Sequence, residues 1–426
     1  MKVLWYSLSP CGSLRRNNEK QIVQGWMISL EDELKKNDDI DLAVCYFSEN
    51  NESPFEYNGV QYFPLYVSGG TNPLQRIIKR KFNYQKRDGY YIELMLNVVK
   101  QFNPDIIHIH GTEERFGLIS DYIKTVPIVY SIQGLLAPYS EKYFAGMSYS
   151  DVNQYESFYD KIRNVSFKDD YSYFYYRALR ERKFLKNANY IIGRTFWDRN
   201  ITIGLNPSRK YFTVNEILRS DFYHGIWHSH SPKNKMVIVS TISDGIYKGI
   251  ENVLKTASLL KSYANFDFEW HIAGYDESSK WLRIAQKITK LDYENINIKL
   301  HGRIDAKDLV NLLLSSDLYC HVSHIENSPN SLCEAMILGM PIIASFTGGT
   351  SSILHDGKEG ILVQDGDPYV LEGSIVYTFN HYGEAIKMGE NARTTALNRH
   401  NPQAVTNELI NAYKSILTEY KNDKQN

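Results

Sequence analysis

Cysteine is scarce in this chain. There are four in 426 residues (Cys11, Cys45, Cys320 and Cys333), with no CxxC and no metal-ligand spacing. This excludes a disulfide-built scaffold and a zinc-ribbon motif, and fits a reducing compartment where thiols stay free. Long apolar runs are also missing. No stretch reaches the roughly 18 consecutive apolar residues of a spanning helix. The opening MKVLWYSLSP has one lysine and a short apolar run, and reads as a first strand rather than a secretory signal. No sign of charge dominates. The 48 basic and 49 acidic residues give a formal net charge of -1, which excludes long-range attraction to nucleic acid by the chain as a whole. A cytoplasmic chain is expected. Tyrosine is plentiful by contrast: there are 32, many of them between Tyr139 and Tyr190.

A length of 426 residues exceeds what one hydrophobic core usually holds. Short apolar runs alternate with amphipathic stretches along its whole length. In the first half, strands are predicted at Lys2–Tyr6, Asp41–Tyr46, Ile106–His110, Ile128–Ile132 and Tyr190–Gly193, with helical stretches at Ile22–Leu34, Tyr90–Gln101 and Phe174–Leu185. The second half repeats the theme. Its strands are predicted at Met236–Thr241, Phe268–Ala273, Ile296–His301, Leu318–Val322, Pro341–Ala344 and Ile361–Val363, with a helix in most intervals. Strands alternating with helices imply a parallel sheet covered on both faces. The fold class is therefore α/β, with two Rossmann-like domains at residues 1–225 and 235–400. The polar stretch His224–Lys235 reads as their linker, and 401–426 as a terminal helix and tail.

The most informative segment is His324–Pro341, HIENSPNSLCEAMILGMP. Glu326 would sit on a loop after a strand, and Glu334 in the first turn of a helix beginning near Ser331. The amides of Asn330, Ser331 and Leu332 would then be unpaired donors at a helix N-terminus, a ready site for a diphosphate. An ionised Glu334 accepts hydrogen bonds only, and so suits a ribose diol. Ser331-x-x-Glu334 is equally a capping box, which would satisfy only its own backbone. Asp365-Gly366-Asp367 resembles a metal-binding D-x-D but stands before Pro368, and reads as turn chemistry before a helix.

Glu326 and Glu334, with the small-residue loop between them and the Glu-Ala-Met helix after it, resemble the E-x7-E signature of family-four retaining glycosyltransferases. The resemblance continues through Gly339-Met340-Pro341, Gly348-Gly349 and His355-Asp356-Gly357 to Gly360, and covers Met236–Val363 in order. It implies the GT-B fold: two facing Rossmann-like domains and a C-terminal helix crossing back to the first, a role that Ala404–Tyr420 suits. It also implies transfer of a sugar from a nucleotide diphosphate sugar to a hydroxyl acceptor of a growing glycan or glycolipid, with retention at the anomeric carbon and no required metal or other cofactor.

Carried over residue by residue, the resemblance makes Glu326 the carboxylate near the donor sugar, Glu334 the ribose ligand and Lys248 the grip on the donor diphosphate. The implied donor-binding set is Glu334, Asn330, Ser331, Leu332, Lys248, Arg303, Ile304 and Gly274. In the first domain, Asp105–His110 resembles the family's D-x-x-H-x-H strand end, which makes His110 a cleft residue. Gly12 and Ser13 fall in the loop that admits acceptor or phosphate. Two departures stand out. The stretch Thr241–Gly245 lacks the arginine common in members, so either one cation suffices or another, Arg303 or Arg194, supplies the charge. Gln133 replaces a common histidine, and glutamine does not titrate near neutrality.

Arg76, Lys79, Arg80, Lys81, Lys86 and Arg87 are interleaved with apolar and aromatic residues. They read either as a solvated helix face or as a surface for anionic lipid. The tyrosine-rich stretch could shape an acceptor groove or simply fill a core. Two rival readings remain at this level: a nucleotide-sugar epimerase, and a non-catalytic sugar-binding subunit of a glycan assembly complex.

Overall fold

The computed structural model describes residues 1–17, 25–67, 88–163, 165–229 and 234–424. The chain forms two compact units. Met1–Ser140, Ser157–Ile217 and Asn401–Asn426 make the first, and Glu141–Glu156 with Leu218–His400 make the second.

The first unit is built on strands β1 (Lys2–Tyr6), β2 (Asp41–Ser48), β3 (Phe55–Tyr57), β4 (Val60–Tyr66), β5 (Ile106–His110), β6 (Ile128–Ser131), β7 (Tyr190–Gly193) and β8 (Lys210–Thr213). Their order is β3-β4-β2-β1-β5-β6-β7-β8. Only the β3–β4 pair is antiparallel. Residues such as Leu4, Tyr6, Ala43, Ile107 and Ile109 are buried in one core with Met95 and Phe102 of the helix Asp88–Phe102. Sequence reasoning missed β3, β4 and β8. The β3–β4 hairpin carried a signal, because Asn58-Gly59 makes a two-residue turn with φ of 50° and 77°. These are the positive angles that a type I′ hairpin turn requires.

In the second unit, β9 (Lys235–Thr241), β10 (Asp267–Ala273), β11 (Ile298–Gly302), β12 (Leu318–His321), β13 (Ile342–Phe346) and β14 (Ile361–Gln364) form an all-parallel sheet. Its order is β11-β10-β9-β12-β13-β14. This is the doubly wound arrangement, in which the chain reverses direction across the sheet between β9 and β12. Ligands of such sheets bind outside the carboxyl ends of the strands at that switch point. Lys248 follows β9, and Glu326 follows β12.

The described residues of the stretch read as the interdomain linker, up to Ser229, group with the second unit. Trp227 is buried; its amide donates to the Leu338 carbonyl at 2.9 Å and its indole N–H to that of Ser316 at 2.7 Å. A guanidinium N–H of Arg393 reaches the Gly225 carbonyl at 3.1 Å. The polar residues around Trp227 had masked this anchor. The tyrosine-rich stretch is mostly helical and is divided, with Glu141–Glu156 belonging to the second unit. There the Tyr155 hydroxyl donates to the Lys287 carbonyl at 3.3 Å.

The last helix, Pro402–Asp423, returns to the first unit, where the Trp5 indole donates to the Tyr413 hydroxyl at 3.0 Å. Among the described residues no helix is long and apolar enough to cross a membrane. Arg76, Lys79, Arg80, Lys81, Lys86 and Arg87 lie outside the described residues. All four cysteines are buried and none is in a disulfide, Cys11 and Cys45 in the first unit and Cys320 and Cys333 in the second.

Candidate active site

The switch point of the second sheet brings Lys248 and Glu326 together. Lys248 ends a short turn, Ile246–Lys248, and Gly249 follows with φ of 82°. A Cβ at Gly249 would stand 2.1 Å from the Val322 carbonyl oxygen. The glycine thus lets the turn lie against the strand end that leads to Glu326. The Lys248 ammonium donates to Glu326 Oε1, and the Ser323 hydroxyl donates to the same oxygen at 3.3 Å. Burial works against the charged lysine, but the Glu326 carboxylate outweighs it and holds Lys248 above the ordinary lysine range. The amide of Gly349 donates to the Glu326 carbonyl at 2.9 Å, which fixes the loop from the other side.

Glu334 lies on the helix Asn330–Leu338, whose N-cap is Pro329. Ser331 is therefore inside the first turn and makes no cap hydrogen bond, so the capping-box reading does not describe this structure. Glu334 is buried and held by a residue that sequence reasoning missed. Arg219 donates from Nε to Oε1 and from Nη2 to Oε2, both at 2.7 Å. Burial raises the Glu334 pKa and Arg219 pulls it back, leaving it above the usual carboxylate range. Of the three amides expected to be free, that of Leu332 donates to the Pro329 carbonyl at 3.0 Å. It is already used within the helix's first turn, leaving Asn330 and Ser331. The Asn330 side-chain oxygen is buried without a partner among the described residues.

His324 stands two residues before Glu326 and is buried between carboxylates. One ring nitrogen lies 2.6 Å from Glu251 Oε1 and the other 3.4 Å from Asp365 Oδ2. Lys142 approaches Asp365 at 3.5 Å. Burial disfavours the charged imidazole, but hydrogen bonds and attraction from Asp365 and Glu251 overcome this and push it up to about 9. The sign follows directly. The unfolded chain releases this proton near the ordinary value of about 6.5. The added stability is complete below that value and is lost as pH rises through about 9. Thermal melts should therefore show the parent losing roughly 3 kcal/mol of stability between pH 6.5 and 9 relative to His324→Gln. Parallel pH profiles for the two proteins would remove this account.

Other expected residues are placed less centrally. Gly274 follows β10, and its amide donates to the Gly302 carbonyl at 2.7 Å. Ile304 is half-buried and Arg303 exposed, both just beyond β11. Asp244, where members often have a base nearby, accepts the amides of Lys280 and Trp281 at 3.2 Å and thus starts the next helix.

In the first unit, His110 ends β5 buried against Trp5 and His108, with centroids 4.5 and 3.7 Å away. Neither ring nitrogen has a partner among the described residues, and burial with neighbouring His108 and Arg194 holds it neutral. Gln133 lies against Gly111, which comes within 3.6 Å of its amide carbon when given a Cβ. The Gly12 amide is not free for a phosphate, since it donates to Glu31 at 3.0 Å. The Ser13 hydroxyl donates to the Pro10 carbonyl at 2.7 Å. Arg194 is paired with Glu216 at 3.4 Å and lies over Trp26.

Residues 225–395 match the family model "Glycosyl transferases group 1". A relative described as an uncharacterized glycosyltransferase, from Methanocaldococcus jannaschii, is 28% identical over 150 residues, covering 34% of this chain and 37% of its own length. The chain thus spans little more than a third of the length of that curated relative. Sucrose-phosphate synthase from Thermosynechococcus elongatus superposes with a TM-score of 0.71 at 14% identity, over 98% of this chain and 100% of that one. The Anabaena protein HepE, solved with UDP and glucose, superposes at 0.64 with 17% identity, over 97% of this chain and 100% of that one. The chain has the GT-B fold of two Rossmann-like domains, and its second unit is related to the group 1 glycosyl transferases.

Proposed function

We propose that the chain moves a sugar from a nucleotide diphosphate sugar to a hydroxyl of a glycan or lipid-linked acceptor, with retention of anomeric configuration. The observation that carries this reading is the pairing of Lys248 with Glu326, four residues before the helix Asn330–Leu338, at the switch point of the second sheet. UDP in the Anabaena relative of the same fold supports a nucleotide donor. The hydroxyl acceptor and retention rest on the E-x7-E resemblance, and the basic cluster at residues 76–87 is offered as a contact for an anionic membrane surface.

In this reading, the helix N-terminus and Lys248 face the diphosphate. A lysine ammonium has three N–H groups. One is engaged by Glu326, which aims the lysine and leaves two for phosphate oxygens. As the bond from anomeric carbon to phosphate oxygen breaks, charge grows on the leaving group, and a fixed cation stabilises it. The acceptor oxygen bonds to the anomeric carbon, and its proton passes to the departing phosphate. Donor and acceptor held together remove the entropic part of the barrier.

The test is donor hydrolysis and transfer across UDP-, GDP-, ADP- and dTDP-sugars, with nucleoside diphosphate release measured. At least one donor is expected to turn over, and failure to bind or hydrolyse any would sink the proposal. Turnover is expected to survive EDTA, because Lys248 and the helix N-terminus take the place of a cation. Loss of activity restored by Mg²⁺ or Mn²⁺ would overturn the metal-free account.

A further inference from the structure

Arg219 and Glu334 are 115 residues apart in sequence, yet they make two parallel hydrogen bonds at 2.7 Å. The arginine is fixed from other directions as well. It precedes the short helix Ser220–His224, and its guanidinium carbon lies 4.7 Å from the Phe222 ring centroid. The neighbouring Leu218 amide donates to the Tyr223 hydroxyl at 3.0 Å, and that hydroxyl donates to the His400 carbonyl at 2.6 Å. Beyond it, Trp227 is bonded to Leu338, the last residue of the helix that carries Glu334. A planar fork held in this way fixes the plane of the carboxylate it grips.

A carboxylate has about four lone-pair sites, and Arg219 occupies two. The fork takes the two that face the same way, so the remaining two point outward, one from each oxygen, and each can accept from one hydroxyl. We propose that Arg219 is the positioning residue of the nucleotide's ribose site, fixing Glu334 in the plane that turns an outward-facing oxygen to the ribose 2′-hydroxyl. This rests on the proposed function, and it assigns a role to a residue outside the E-x7-E segment. Without the arginine, burial would drive Glu334 toward its neutral form. A neutral carboxyl turns one acceptor into a donor, and the match to a hydroxyl donor is lost. Tyr319 is the other titratable group facing Glu334, and burial keeps its phenol protonated. Lysine at position 219 would supply the charge without the fork.

The test compares UDP with 2′-deoxy-UDP by calorimetry, alongside the corresponding guanosine and adenosine pairs. The proteins are the parent, Arg219→Met, Arg219→Lys, Glu334→Gln and the double variant Arg219→Met/Glu334→Gln. The parent should prefer the ribonucleotide by about 10- to 100-fold, the usual worth of a hydrogen bond to a charged group. Arg219→Met should bring the ratio near one, Glu334→Gln should do the same, and the double variant should change it no further. Arg219→Lys should keep part of the preference. Melting curves separate out folding, since the double variant leaves no buried charge unpaired and should melt above Arg219→Met.

A parental ratio in Arg219→Met, with the ratio lost in Glu334→Gln, would show that the arginine only supports the fold. A parent that binds ribo- and deoxynucleotides equally would remove Glu334 from the ribose and overturn the proposal while leaving the donor reading standing. A parent that binds no nucleotide of any pair would remove the donor reading and this role together.

Discussion

Replacing Lys248 with alanine is expected to lower turnover about 10²–10³-fold, roughly 2.7–4 kcal/mol of transition-state stabilisation, with a much smaller change in melting temperature. The lysine is the single base between Thr241 and Ile250, so the leaving diphosphate has no second cation from the same loop. In the proposed donor site its loss would also leave Glu326 without its cationic partner, beside the diphosphate. An unneutralised carboxylate there repels the growing charge, so both effects act in the same direction. Lys248→Arg should recover only part of the rate, because a planar guanidinium is wider and its donors point differently. The measurement is initial rate at saturating donor and acceptor, beside a melt. A Lys248→Ala protein within about threefold of the parent would mean that another cation carries the phosphate. Arg303 would be the next residue to substitute, because Arg194 is already committed to Glu216.

Glu334→Ala is expected to weaken nucleotide-sugar binding by about 10- to 100-fold, the cost of losing charge-assisted hydrogen bonds to the ribose. It should also lower the melting temperature, because it strands Arg219, whose side chain is only 16% exposed, without its carboxylate. The two effects are separable. Titration of nucleotide at a temperature well below the melt reads the first alone. A stability loss with unchanged nucleotide affinity would leave Glu334 as a structural partner of Arg219 and nothing more.

Both residues were visible in the sequence, as was Glu326, the partner of Lys248; Arg219, the partner of Glu334, was not. The strands of the second sheet were legible because each is a short apolar run set off by helices with polar faces, and that alternation is local. The E-x7-E segment was legible because it resembles a family signature that is contiguous in sequence. What it could not reveal was the contacts. Glu326 pairs with a lysine 78 positions earlier, and Glu334 with an arginine 115 positions earlier in a stretch that carries no motif. His324 drew no notice as a charged group, since the two carboxylates that make it one come from the helix Ile250–Tyr263 and from the turn after β14. The capping-box alternative turned on two residues of register, which Pro329 decides by starting the helix at Asn330. In the first unit, β3 is only three residues long and strand β4 contains Pro64, so the hairpin's apolar signal is weak and only its turn gives it away.

The four buried thiols supply something the sheets themselves do not: a separate clock for each half of the molecule. Burial pushes the thiols of Cys11, Cys45 and Cys320 well above their ordinary range, so in the closed state they are neither accessible nor nucleophilic. Alkylation then requires an opening event, and its rate reports how often that opening occurs. Because Cys11 and Cys45 sit in one unit and Cys320 and Cys333 in the other, peptide-resolved alkylation reads two opening equilibria from one unmodified chain. A nucleotide that binds only the second unit should slow the labelling of Cys320 and Cys333 in proportion to its occupancy, leaving the first pair as an internal standard.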